Sequence, residues 1–63
     1  DIDEARSLLE RTEGMELVVP YLRTRLSDTL ARAEQTPAGS ADMESIMSTL
    51  EDLMDQVREN AGL

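Results

Sequence analysis

Sixty-three residues allow one small domain at most, and chains of this size are marginally stable unless a staple or a partner helps. The chain has no Cys and no His, so disulfides are excluded and a zinc site lacks its ordinary ligands. Fourteen acids oppose six bases, all Arg, for a net charge of −8, a balance that argues against nucleic acid and against an anionic membrane surface.

The first element is a short amphipathic helix over about 2–13. Ile2, Ala5, Leu8 and Leu9 form its apolar side, and Asp1, Asp3 and Glu4 open it where a helix favours negative charge. A second helix is expected over about 16–35, carrying Leu22, Leu26, Leu30 and Ala33 at spacings of three and four. Gly14 and Pro20 fall between the two apolar patterns. An interior Pro costs about 3 kcal/mol and an interior Gly about 1 kcal/mol relative to Ala, which favours a break over one long helix kinked at Pro20. The kinked alternative has the four-three rhythm of Leu8, Thr12, Met15, Val19 and Leu22 in its favour.

Thr36-Pro37-Ala38-Gly39-Ser40 gathers turn formers into a linker at 36–40. Ser40 is positioned to cap the last helix, predicted over 41–61, with Asp42 and Glu44 in its first turn and Asn60 and Gly62 as stop residues. Its apolar residues, at 43, 46, 47, 50, 53, 54, 57 and 61, make one stripe about 31 Å long. Nothing alternates with period two over a useful length, so the fold class is all-α: a helical hairpin of two or three helices in a single domain.

A stripe that long needs a cover, and a second copy is the simplest one. Two hairpins pairing as a dimer give a four-helix-type bundle. Its interface is expected to use Leu22, Leu26 and Leu30 from the middle helix. From the last helix it is expected to use Met43, Ile46, Met47, Leu50, Leu53, Met54 and Val57. Charge agrees with an antiparallel pairing of these helices, because 20–35 is net positive and 40–63 strongly negative.

Chemistry is harder to find. Without His, Cys or Lys the common proton shuttles and nucleophiles are missing, so no catalytic residue, metal ligand or cofactor is assigned. Glu51 and Asp55, one turn apart, are read as a solvated face; Arg23, Arg25 and Arg32 as charge balance or an anion-binding edge. Tyr21 is read as an interface anchor or a cap on the core.

The expected function is therefore a non-catalytic oligomerisation and protein-interaction module. The alternatives are a small acidic adaptor, chaperone or inhibitor that meets a basic surface, by nucleic-acid mimicry among other routes, and a docking segment of a multi-enzyme complex. A start at Asp1 fits a processed form or a fragment, and the lack of Cys is compatible with the cytoplasm.

Overall fold

The computed structural model describes residues 2–16 and 18–63. Asp1, expected among the first-turn acids, and Leu17, inside the predicted second helix, lie outside the described residues. Three helices follow in order: α1 (Ile2–Arg11), α2 (Pro20–Gln35) and α3 (Ala41–Ala61). The described residues contain no strand.

The break between α1 and α2 is wider than the sequence reading placed it. The first helix ends at Arg11 rather than 13, and the second starts at Pro20 rather than 16. The Thr12 N–H still donates to the Leu8 carbonyl at 3.0 Å and its hydroxyl adds a second bond there at 2.8 Å, but the Glu13 N–H turns to the Glu10 carbonyl, three residues back, and the helix ends. Gly14 then takes φ of 80°, a left-handed turn that a side chain would resist. Pro20 occupies the first turn of α2, where its fixed φ suits a helix start and its missing N–H costs nothing. One long kinked helix is thus ruled out, and the rhythm running through 12–19 is not helical.

Val19 is the N-cap of α2, extended at ψ 122°, and its side chain accepts no bond from the helix. This is a weak start for 16 residues of helix. Val19 is also 43% exposed, so a polar replacement loses little burial. Val19→Asp is expected to add about 1 kcal/mol by supplying the missing acceptor. In a domain of this size that raises the melting temperature by roughly 4–8 °C. Thermal unfolding followed by circular dichroism checks it, and an unchanged or lowered midpoint would show that the valine is needed where it stands.

The second connection matches its sequence signals closely. Ser40 accepts a hydrogen bond from the Met43 N–H at 3.1 Å and donates one to the Pro37 carbonyl at 2.8 Å, closing the turn and capping α3 together. At the far end Gly62 is left-handed at φ 74°, and the Leu63 N–H donates to the Arg58 carbonyl at 2.9 Å. Asn60, expected as a stop, is still helical.

α2 and α3 make the most extensive contact, antiparallel across the short linker, and α1 packs against both. The core draws on all three helices and the first connection: Ala5, Leu8, Val18, Leu26, Leu30, Leu50, Leu53, Met54, Val57 and Ala61. Each fully buried Leu or Val contributes about 1.5–3 kcal/mol against the entropy of ordering the chain. The inter-helix ion pairs are not those the charge pattern implied. Arg6 on α1 meets Glu34 on α2 at 2.9 Å, and Arg58 on α3 meets Glu4 on α1 at 3.7 Å. Among the described residues no ion pair joins α2 to α3, so apolar packing alone binds that seam. The two observed pairs are solvent-exposed and contribute about 0–1 kcal/mol each.

Candidate interaction surface

The α3 stripe is covered within the chain. Leu26, Leu50 and Val57 are fully buried, and Leu30, Ile46, Leu53 and Met54 are nearly so. Leu22, Met43 and Met47 are half-buried. Most of the cover is α2, and α1 closes over the α2–α3 pair with Ala5 and Leu8. Of the ten residues assigned to an interface, seven are therefore packed inside this protomer, and Leu22, Met43 and Met47 keep part of their surface open to solvent.

Two long grooves follow the helix seams. The α1–α2 groove is lined by Leu9, Glu10, Glu13, Pro20, Arg23, Thr24, Ser27 and Asp28, with a volume of about 530 Å³. Its one cation is already engaged. The Arg23 guanidinium donates from Nε to the Thr12 hydroxyl at 3.3 Å and from Nη2 to the Leu9 carbonyl at 3.1 Å. That carbonyl belongs to the last turn of α1, where unpaired acceptors gather and positive charge is favourable. The clasp was not visible in the sequence: Thr12 read as one step of an apolar rhythm, and Arg23 as charge balance or part of an anion-binding edge.

The α2–α3 groove lies on the side away from α1 and is assembled from concavities that share walls. At one end stand Tyr21, Leu22 and Arg25 opposite Thr49, Asp52, Leu53 and Gln56. The middle is walled by Arg25, Asp28, Thr29 and Arg32, opposite Ser45, Ile46 and Thr49. The other end has Arg32, Gln35 and Thr36 opposite Asp42, Ser45 and Ile46. Its floor is the edge of the core, with Leu53 5%, Ile46 7% and Thr29 8% exposed.

Arg25 and Arg32 thus share a face, as their seven-residue spacing implied, while Arg23 points to α1. Arg25 lies over the Tyr21 ring, 5.7 Å from its centroid, and donates to the phenol oxygen at 3.2 Å. Neither Arg25 nor Arg32 has a carboxylate partner among the described residues. Tyr21 is 63% exposed, so it stands at the groove mouth and does not cap the core.

The other candidates separate. Glu51 and Asp55 sit on the outer face of α3, and Asp55 accepts from Arg58 at 3.3 Å. Among the described residues no three acids gather as metal ligands, and no helix is long and apolar enough to cross a membrane. Comparison with protein-family models, with curated proteins and with solved structures gave no match.

Proposed function

We propose that this chain is a non-catalytic helical module that works by binding protein, a second copy of itself first. The observation that carries this reading is the shape of the surface. Its concavities are open troughs along helix seams, walled by charged and hydroxyl side chains at helical spacing. Troughs of that kind receive another helix, whereas a small molecule is usually enclosed on most sides by apolar walls. The capped ends of α3 and a core drawn from all three helices support a unit that is folded before it meets its partner.

A second reading, the acidic adaptor, is favoured by one observation. With the α3 stripe covered by α2 and α1 together, association is not required to complete the core. The outer faces of α1 and α3, rich in Asp and Glu, then meet a basic protein surface. A docking role within a multi-enzyme assembly is a version of either reading.

Light scattering over a hundredfold concentration range, with circular dichroism on the same samples, separates them. The self-association reading expects a helical species at every concentration, with mass rising from 7.0 kDa toward twice that value. A mass fixed at 7.0 kDa with full helicity would discard it and leave the adaptor.

A further inference from the structure

From the walls of the α2–α3 groove we infer that this face is a homodimer interface whose two-fold axis runs parallel to the helices. The inference rests on the self-association reading above and assigns it a surface and a symmetry. Charge selects the face. The whole chain carries fourteen acids and six bases. The groove walls carry Arg25 and Arg32 against Asp28, Asp42 and Asp52, so this face is close to balanced. Two acidic molecules approach each other here with the least repulsion.

Charge also selects the symmetry. The cations lie on the α2 wall, and Asp42 and Asp52 lie on the α3 wall. Arg32 stands level with Asp42 and Ser45, and Arg25 level with Thr49 and Asp52, because each set lines one section of the groove. An axis parallel to the helices preserves those levels while laying α2 of one copy over α3 of the other. Arg25 then faces the partner's Asp52, and Arg32 faces the partner's Asp42. An axis across the helices stacks α2 on α2: centred between Arg25 and Arg32 it sets like against like, and centred beside Asp28 it gives only one of the two arginines an acid. The first arrangement gives both arginines an acid.

Tyr21, 63% exposed, and the half-buried Leu22 supply the apolar contact between the two layers, over a floor of Thr29, Ile46 and Leu53 that is already nearly closed. The extent of the molecule sets the strength. A face of 35 × 17 Å projects to about 600 Å² on each copy, about 1,200 Å² for the pair, at the low end for a specific interface. The dimer is accordingly reversible. It joins the α2–α3 hairpins as four helices with both α1 helices outside, so Leu50 and Val57 remain within their own protomers.

Charge reversal on exposed residues tests this without touching the core. Sedimentation equilibrium on Arg25→Glu alone and on Asp52→Arg alone is expected to show the dimer Kd raised about tenfold in each. An equimolar mixture of the two variants restores a dimer close to wild type. In the mixed pair the introduced glutamate of one copy faces the introduced arginine of the other, and the second contact keeps its native Asp52 and Arg25. Asp52→Arg is the sharper arm: it lowers the net negative charge, so bulk repulsion alone predicts tighter association. Arg11→Glu, off this face on α1, sets the background for a change in net charge. Circular dichroism confirms the fold of each variant, and Arg25→Gln provides a milder version. A wild-type dimer indifferent to both reversals, or a mixture that stays monomeric, overturns the assigned face and leaves self-association standing. A wild-type chain that never dimerises overturns both.

Discussion

Leu50→Asp is expected to leave the chain unfolded at 25 °C. Leu50 is fully buried at the middle of α3, among residues contributed by all three helices. Removing a leucine from such a position costs about 2–5 kcal/mol in lost transfer and cavity. The carboxylate then has no cation within the core, and an unpaired buried charge adds several kcal/mol or forces the site open. A chain of this length holds roughly 3–9 kcal/mol of total stability at ordinary per-residue values, and the two penalties together are of that size. Circular dichroism at 222 nm should fall to that of a disordered chain, with no cooperative urea transition. Leu63→Asp, at a position 51% exposed, should unfold like wild type. A Leu50→Asp protein with a normal urea transition would remove α3 from the centre of the core.

The last helix and its linker were legible in the sequence because each signal there is local. Ser40 caps through an atom three residues from its target, and Gly62 turns the chain within one residue of the helix end. Of the stripe at 43, 46, 47, 50, 53, 54, 57 and 61, all but Met43 and Met47 are buried and those two are half-buried, since burial follows helical periodicity whatever does the covering. What does the covering was not legible. Periodicity states that a face is apolar, not whether a second copy or the same chain covers it. Here α2 covers most of it, and α1 completes the cover with Ala5 and Leu8, helped by Val18 and Met15 in the first connection.

The start of α2 illustrates a second limit. Pro20 allowed either a kink or a helix start, and the choice depended on backbone geometry at 12–19 that no side-chain pattern encodes. The candidate surface shows the same division. That Arg25 and Arg32 share a face followed from spacing alone. Their position opposite Asp52 and Asp42 is a matter of register between α2 and α3, set by linker length and packing together. The ion pairs were misassigned for the same reason: segment charge predicted α2 against α3, whereas side-chain reach delivered Arg6 to Glu34 and Arg58 to Glu4.

The second large effect is expected from Arg23→Met, which should cost about 2 kcal/mol and act mainly on α1. Methionine keeps most of the aliphatic stem and removes only the guanidinium. What is lost is the pair of bonds from Arg23 to the Thr12 hydroxyl and the Leu9 carbonyl, which tie the end of α1 to the first turn of α2. Hydrogen bonds to a charged partner contribute about 1.5–3 kcal/mol, and the part-buried acceptors left behind are not fully solvated in exchange. Arg23→Lys should recover only part of the loss, because an ammonium does not reproduce the two-point geometry of the guanidinium. The loss should also be uneven. Hydrogen exchange is expected to quicken in α1 while α2 and α3 keep most of their protection, since the hairpin retains the larger contact. Freed from its clasp, α1 exposes part of the α3 stripe, and the variant should self-associate more strongly than wild type through Leu50 and Val57. Urea unfolding, exchange and light scattering on one preparation measure all three consequences. Unchanged stability with uniform exchange would mean that packing alone holds α1 in place, and that the association of this chain does not depend on how firmly its first helix is fastened.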